Sequence, residues 1–407
     1  MSRRSGVLTA RVVRGANSAA ILRLLRQHGA MSRADLARRS GLNQGSVSRI
    51  TSELIDSKLL RVDGAESSSG GRPGTRLRLD ERRVGIGIEI KRVQVRLAAV
   101  TLAGEILEEL ELETPPNPAG AFNAIERGVR ILRRKIGSRQ VEGVGVGASG
   151  IVNSLTGVVE FGNSPSWVEI PVRQPLQEHL RIPVQVDNDV RLAAIAESHY
   201  GNLAEVRNSQ ALLFVTVNEG IGTGIVLDGR LYSGPAHAAG EFGQMVISDG
   251  GAPGELDGPG CLEQLASCTA LLERYSRLNG KSGAMMGGGH TAARVRKICQ
   301  LAMGGEQAAT KALEQTCLCL GLGLSNMIWG INPDVIVVDS PMNEAWPMVM
   351  TSLRAQFPHD KEIVNFRHLI VRPSSLAGNA TIIGAGTLPF QHLFVAGERI
   401  RQAGLNA

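Results

Sequence analysis

The alternation of strands and helices after residue 84 is the feature that most restricts how this chain can fold. Three runs typical of strands come first, VGIGIEI, VQVRLAAV and EILEELEL, and a helical pattern over residues 118 to 136 follows them. A buried strand, VEGVGVGASG, then precedes a helix and a strand with acidic residues at its carboxyl end, PVQVDND. This order predicts the first half of an actin-like or ribonuclease H-like fold.

The strand pattern restarts further along the chain and predicts a second α/β lobe. The restart is at ALLFVTVNEGIGTGIVLDGRLYSG, and later strands are predicted at INPDVIVVDS and HLIVRPSS. A duplicated fold of this kind has a cleft between its lobes, with ligands at the carboxyl ends of strands. We find no apolar run long enough for a transmembrane helix and no signal peptide. The number of cysteines, five, is odd, which indicates reduced thiols. We therefore expect a cytoplasmic protein with no membrane partner.

The basic residues are concentrated in the first 80 residues. Fifteen of the 44 Lys and Arg residues lie there, against six of the 38 Asp and Glu residues, so this head carries a net charge of +9 and the remainder −3. A basic head on a mildly acidic body indicates a polyanion partner for the head alone.

Three short helices are predicted within this head. The apolar pattern of residues 17–28 ends at Gly29, Ser32 opens a second helix that ends at Gly41, and Asn43 caps a third. This is the pattern of a helix-turn-helix, whose third helix contacts base edges in the major groove. A three-helix packing unit without DNA is the alternative. The candidate DNA-binding residues here are Ser32, Arg33, Asn43, Gln44, Ser46, Ser48 and Arg49.

A hairpin is predicted over residues 61–80. Two short alternating runs flank a Ser/Gly-rich tip, which is the outline of a wing. Within the tip, Arg72 of GGRPG is a candidate for a contact in the minor groove. A plain linker is the alternative.

Isolated carboxylates in glycine-rich or strand-end positions are the candidate ligand-binding groups. Glu241 and Glu263 lie in the stretch GPAHAAGEFGQMVISDGGAPGELDGPGCLE, and Asn188-Asp189 follows a predicted strand. A carboxylate accepts several hydrogen bonds, so it suits the neighbouring hydroxyls of a sugar. The alternatives are a surface loop with solvated glutamates and an ordinary helix N-cap at Asn188-Asp189.

The wording GEFGQ followed by GCLE at this spacing resembles the ROK family of sugar kinases, sugar-responsive repressors and related open reading frames. The resemblance extends from the first helix, through GRP in the wing, to GNATIIGAG near the C-terminus. It implies that a sugar is bound by Gly150, Asn188, Asp189, Glu241, Gln244 and Glu263. The family has His at the position of Gln244 and usually Pro at that of Ser149, and its kinases use the residue matching Asp189 as the catalytic base.

The chain departs from the family pattern where the kinases bind nucleotide and zinc. The kinase turn DxGGT is matched by Glu89-Ile90-Lys91-Arg92-Val93, and paired glycines of the family are replaced by Asp339-Ser340-Pro341. At the family's zinc ligands the chain has Gln244, Gly254 and Leu256, so that Cys261 alone remains. One thiolate does not make a closed zinc site. We therefore expect no catalytic activity, no metal and no cofactor.

These observations predict a transcriptional regulator in three parts. The winged helix-turn-helix covers residues 1–80, with a wing or linker at 61–80. The first lobe covers 81–187, joined by a C-terminal helix at 388–407, and the second covers 188–387 with the sugar-binding cleft and oligomer contacts. We expect a homodimer or homotetramer that binds operator DNA, represses genes for carbohydrate uptake or catabolism, and is released by a monosaccharide or its derivative. An ATP-dependent sugar kinase with a fused head is the alternative, and a regulator that answers to a protein partner is another.

Overall fold

The chain divides into two compact units. The computed structural model describes residues 10–65, 75–91, 94–114, 117–162, 164–248, 260–280, 291–357 and 368–394. Unit 1 is formed by residues 1–189 and 381–407, and unit 2 by residues 190–380. The chain therefore passes from unit 1 to unit 2 after Asp189 and returns at Thr381. Among the described residues, none of the helices is long and apolar enough to cross a bilayer.

Unit 1 begins with a winged helix-turn-helix head. Its elements are α1 (Ala10–His28), β1 (Met31–Ser32), α2 (Arg33–Ser40), α3 (Gln44–Asp56), β2 (Leu60–Ala65) and β3 (Thr75–Leu79). The strands form one antiparallel sheet in the order β1-β3-β2. The first helix begins seven residues before the predicted position 17, whereas its end at His28 agrees with the prediction. The wing tip, including Arg72, lies outside the described residues.

The caps of the head helices follow the sequence. The Oγ atom of Ser32 accepts a hydrogen bond from the Asp35 amide over 3.1 Å, and Oδ1 of Asn43 accepts one from the Ser46 amide over 2.8 Å. Gly41 ends α2 with φ 71°, in the left-handed region where glycine has no Cβ penalty. The predicted caps at Ser32 and Asn43 are thus confirmed.

The rest of unit 1 is an α/β lobe with a five-stranded sheet. Its elements are β4 (Arg83–Ile90), β5 (Gln94–Thr101), β6 (Ile106–Glu113), α4 (Pro118–Lys135), β7 (Gln140–Ala148), β8 (Ile151–Asn153), β9 (Val158–Phe161), a 3-10 helix (Pro165–Trp167), β10 (Val168–Pro171), α5 (Arg173–Leu180) and β11 (Val184–Asn188). The sheet order is β11-β7-β4-β5-β6, with β11, β7 and β4 parallel. The small antiparallel sheet β10-β9-β8 was not predicted.

Unit 2 repeats this plan with a second five-stranded sheet. Its elements are α6 (Asp189–Tyr200), which starts on the last residue of unit 1, α7 (Ala204–Arg207), β12 (Ala211–Val217), β13 (Ile221–Leu227), β14 (Arg230–Tyr232), a 3-10 helix (Phe242–Gln244), α8 (Leu262–Ala266), α9 (Cys268–Leu278), α10 (Thr291–Met303), α11 (Gln307–Ile331), β15 (Val335–Asp339), a 3-10 helix (Pro341–Ala345), α12 (Trp346–Arg354) and β16 (Ile370–Pro373). The strand order is β14-β13-β12-β15-β16.

The chain returns to unit 1 through α13 (Ala380–Thr387), a 3-10 helix (Leu388–Phe390) and α14 (Gln391–Phe394). A single C-terminal helix was predicted over residues 388–407. The described part of that range is instead a 3-10 turn and a short helix, and Pro389 has no amide N–H to continue α13 into it. Residues 395–407 lie outside the described residues.

Glycines in the central strands let α13 lie directly on the sheet of unit 1. A Cβ at Gly85 would come within 1.9 Å of the Gly386 carbonyl oxygen, and one at Gly145 within 2.0 Å of that of Ala385. Both distances are far below van der Waals contact, so only glycine fits. The glycine pattern of VGIGIEI and VEGVGVGASG thus serves helix-to-sheet packing.

We expect Gly85→Ala to destabilise the protein by about 3 kcal/mol or more. The added methyl group would meet backbone atoms of α13, which cannot move aside as a flexible side chain could. The measurement is urea unfolding followed by circular dichroism. Gly15→Ala is the matched control, since nothing lies within 4 Å of its added methyl group in α1. That control should be neutral or slightly stabilising, and equal effects of the two substitutions would contradict the packing argument.

Candidate functional site

The third helix of the head presents a polar, open N-terminal face. Gln44, Ser48 and Arg49 are exposed, while Val47 and Ile50 on the other face are buried in the head's core. Ser46 is half-buried. The face therefore has the small polar residues and the one cation that the sequence analysis assigned to it.

Three other candidate DNA-binding residues have partners within the head. Ser32 is 7% exposed and caps α2, Asn43 caps α3, and Nε of Arg33 donates to Oγ1 of Thr51 over 3.0 Å. These bonds hold α2 and α3 in their turn geometry. A DNA contact by any of the three remains a prediction.

The strand ends of unit 1 bring three of the predicted sugar-binding residues together. In the parallel pair β7 and β11, Asn188 lies beside Ala148, directly before the loop Ser149-Gly150. Nδ2 of Asn188 donates to the carbonyl oxygen of Gly150 over 2.9 Å. Gly150 has φ 101°, and a Cβ there would come within 2.1 Å of the Phe161 carbonyl oxygen, so this loop requires glycine.

Ser149 contacts a predicted sugar-binding residue, although the sequence predicted no role for Ser149 itself. Its hydroxyl donates a hydrogen bond to the carboxylate of Asp189. This bond helps to fix the orientation of the Asp189 carboxylate, a group that accepts several hydrogen bonds. The available signal was the position of Ser149 in the loop GASG, where the ROK pattern usually has proline without a donor.

In unit 2, Glu263 lies against the glycine turn between β12 and β13. Its Oε2 accepts a hydrogen bond from the Ile221 amide over 2.7 Å, and a Cβ at Gly220 would come within 2.4 Å of the same oxygen. The glycine at this position therefore makes room for the carboxylate. Of the stretch Gly220-Ile221-Gly222-Thr223-Gly224 only Gly220 lies in the turn; the other four residues begin β13, and Glu263 holds that start of the strand through the Ile221 amide.

Glu241 directly precedes the 3-10 helix Phe242–Gln244 of unit 2, Gln244 is its last residue, and both side chains are exposed. The loop before them is anchored to α6, because Nη1 of the buried Arg191 donates to the carbonyl oxygen of His237 over 2.8 Å. The hydroxyl of Thr223 donates to the carbonyl oxygen of Gly240, where φ is 99°. These anchors fix the backbone from which Glu241 projects.

The match to protein-family models covers both parts of the chain. The MarR family model matches residues 16–62, within the head, and the ROK family model matches residues 85–391. The chain belongs to the ROK family. Its fold is accordingly a winged helix-turn-helix followed by an actin-like ROK domain, as the sequence predicted.

Curated ROK relatives include both regulators and kinases. The chain is 27% identical over 391 residues to a putative xylose repressor of Caldicellulosiruptor sp. (strain Rt8B.4), which covers 92% of this chain and 95% of the relative. It is 26% identical over 317 residues to a glucokinase of Halalkalibacterium halodurans, which covers 74% of this chain and 94% of the relative.

A solved ROK structure has the same fold over nearly the full length. The crystal structure of a ROK family transcriptional regulator, a homologue of the Escherichia coli MLC protein, superposes with a TM-score of 0.75 at 24% sequence identity. The superposition covers 94% of this chain and 97% of that one. This likeness establishes the fold, including the head.

The hairpin that matches the ROK kinase turn contains a compact ion cluster. Glu89 on β4 is 13% exposed at its side chain; Oε2 lies 3.2 Å from Nη1 of Arg96 on β5 and 3.6 Å from Nζ of Lys91. Arg96 also contacts Oε1 of Glu109 over 2.6 Å. Arg92 and Val93 lie outside the described residues.

Burial raises the pKa of Glu89, and the negative charge of Asp189 raises it further, whereas Lys91 and Arg96 lower it. A buried carboxylate stays ionised only with such cations beside it. The carboxylate at the head of the kinase-like turn is therefore already matched by cations of the protein.

The residues that match zinc ligands in other ROK proteins are described only in part. Gly254 and Leu256 lie outside the described residues. Cys261 is fully buried directly before α8, and its backbone bridges to Val246. Within the described part of the chain, no cluster of three or more His, Cys, Asp or Glu residues has the arrangement of a metal site. The expectation of no zinc stays a prediction.

We expect Arg96→Met to destabilise the protein by roughly 3 kcal/mol, because it removes the nearer and more buried of the two cations beside the Glu89 carboxylate. Glu89→Gln removes the buried negative charge and leaves the cations in place, so it should lower the free energy of unfolding by clearly less than Arg96→Met. Urea unfolding of both variants at pH 7 checks the difference. If Glu89→Gln were the more damaging change, the ion cluster would not have the role described.

Proposed function

We propose that this ROK protein is a sugar-responsive transcriptional repressor. One chain joins a winged helix-turn-helix with an open third helix to a ROK domain, and this observation carries the proposal. The predicted sugar-binding residues of that domain lie at strand ends, in loops and in the first or last turns of helices. The full-length likeness to a putative xylose repressor supports it. The glucokinase relative covers a smaller share of the chain.

The head has the charge and shape for duplex DNA. Its net charge of +9 attracts a polyanion, and Arg49 lies exposed among small polar residues near the start of α3. In a helix-turn-helix those positions meet base edges in the major groove. We propose that two heads of a homodimer, or of a homotetramer, bind the two halves of an operator, since symmetric operators match two-fold symmetric proteins.

We predict that the full-length protein binds its own promoter region at least tenfold more tightly than random duplex. Arg49→Ala should weaken promoter binding by about tenfold, since one good base or phosphate contact contributes about 1–3 kcal/mol. Fluorescence anisotropy measures both. Arg134→Ala on α4 is the matched control, because it removes an equal charge outside the head. Equal affinity of the wild-type protein for promoter and random duplex would refute the repressor function.

The sugar site is proposed from two sets of residues. Gly150, Asn188 and Asp189 belong to unit 1, and Glu241, Gln244 and Glu263 belong to unit 2. Asp189 accepts a hydrogen bond from Ser149 and Glu263 accepts one from the Ile221 amide, and carboxylates suit sugar hydroxyls because they accept several hydrogen bonds. Gln244 is exposed and has an amide that can donate and accept, so it is proposed to contact sugar where the family has histidine.

We expect a thermal-shift screen of D-xylose, D-glucose and N-acetyl-D-glucosamine to identify at least one that stabilises the protein. Asp189→Ala and Glu241→Ala should each weaken its binding about tenfold to a hundredfold, because a charged hydrogen bond contributes about 1.5–3 kcal/mol. Isothermal calorimetry measures the affinities. Glu205→Ala, also an exposed glutamate of unit 2, should bind normally. Unchanged affinity in both site variants would remove them from the site.

A sugar kinase is the second candidate, favoured by the glucokinase relative and by Asp189 at the base position. The hairpin argues against it. Phosphoryl transfer needs magnesium and phosphates held in line with the acceptor, and the Glu89 carboxylate that would hold the metal is occupied by Arg96 and Lys91. After β15, Ser340 caps a 3-10 helix by accepting from the Met342 amide over 3.2 Å, where kinases have paired glycines. These residues do not fit a magnesium nucleotide.

We therefore expect no ATP-dependent phosphorylation of the three sugars above. A coupled assay for ADP release, run beside a no-enzyme blank, tests this. Turnover above the blank that disappears in Asp189→Ala would establish the kinase instead. Turnover that persists in this variant would point to a contaminating enzyme.

A further inference from the structure

The DNA-binding head shares its hydrophobic core with the end of the chain. The buried residues of α1, α2 and α3 form one cluster with Leu102, from the β5–β6 turn, and with Phe390 and Phe394. Phe390 is fully buried and Phe394 is 5% exposed. The head is therefore docked on the body by aromatic side chains, and its orientation within unit 1 depends on them.

A cation fixes the same contact. The guanidinium carbon of Arg26, in the last turn of α1, lies 4.2 Å from the centre of the Phe394 ring. A guanidinium within about 6 Å of an aromatic face is attracted by the ring quadrupole. Arg26 at the C-terminal end of α1 also offsets the negative end of the helix dipole.

The other end of this segment contacts the proposed sugar site. Oγ1 of Thr381, near the start of α13, donates to the carbonyl oxygen of Asp189 over 3.2 Å. Between its two ends the segment cannot slide on the sheet, because a Cβ at Gly87 would come within 2.3 Å of the Ile382 carbonyl oxygen and one at Gly145 within 2.0 Å of that of Ala385. Displacement at Asp189 must then move α13 together with the strands beneath it.

We infer that the segment Thr381–Phe394 couples the sugar site to the DNA-binding head, with Phe394 and Arg26 as positioning residues for that head. The inference rests on the proposed function and identifies the segment that connects its sugar site to its DNA-binding head. Thr381 contacts the backbone of the residue that ends unit 1, α13 follows the sheet, and Phe394 holds α1. A packed segment with contacts at both ends transmits a shift because its interior is nearly incompressible.

The test compares promoter affinity with and without an equimolar mixture of D-xylose, D-glucose and N-acetyl-D-glucosamine. In the wild-type protein the mixture should weaken promoter binding by a factor of about 5 to 150, the usual range of coupling between sites. Phe394→Ala and Arg26→Met should each bring this factor close to 1. The affinity of these variants for random duplex and the thermal shift caused by the sugars should stay at the wild-type values. A general loss of folding would abolish both.

Matched variants distinguish a loss of head positioning from a loss of positive charge and from a loss of folding stability. Arg23→Met removes the same charge from an exposed position of α1 and should keep the wild-type factor. Phe394→Leu keeps an apolar side chain without the ring and should retain the fold if Phe394→Ala does not. Because Arg26 and Phe394 make one contact, the double variant should lose no more coupling than either single one.

The far end of the segment has its own conservative pair. Thr381→Val removes the hydroxyl and should lower the coupling factor, whereas Thr381→Ser keeps it and should restore the factor. A wild-type factor that survives both Phe394→Ala and Arg26→Met overturns the coupling alone. Absence of any sugar effect on the wild-type protein overturns the coupling and the proposed sugar response together, while promoter recognition by itself would still stand.

Discussion

The contact of α13 with the central strands of unit 1 is the constraint on which the rest of that unit depends. Helix and sheet meet backbone to backbone at Gly85, Gly87 and Gly145, so the helix lies closer than side chains would allow. This fixes the height of α13 above β4 and β7. Those same strands lead, at their carboxyl ends, to Glu89 and to the loop Ser149-Gly150. Packing on one face of the sheet thus determines where the polar groups at its edge can lie.

The polar edge of the sheet has an electrostatic cost that the chain offsets internally. Glu89 is near enough to Asp189 for the two charges to disfavour one another, and burial of Glu89 adds to that cost. Arg96 and Lys91 supply the opposing charge. Both cations are side chains of the protein itself, so the charge of Glu89 is offset by permanent groups of the β4–β5 hairpin.

Local patterns were sufficient to predict much of the fold, because they depend on neighbours in the sequence. The caps Ser32 and Asn43 and the strands of both five-stranded sheets follow from periodicity and cap chemistry. The basic side chain of Lys91 could be predicted to lie near Glu89, since the two residues are close in the sequence. Arg96 was not recognised as its partner, because cross-strand pairing depends on register, which a pattern does not state. Ser149 was noted as a departure from proline, but its bond to Asp189 depends on two strand ends meeting in space.

The docking of the head could not be predicted from local patterns either, because Arg26 and Phe394 come from opposite ends of the chain. The chain leaves unit 1 after Asp189 and re-enters it at Thr381, and one hydrogen bond joins these two residues. The re-entering segment then continues without interruption to the ring that contacts α1. The proposed coupling therefore needs no separate signalling domain, because the returning segment runs from the carbonyl of Asp189, a proposed sugar-binding residue, to the head.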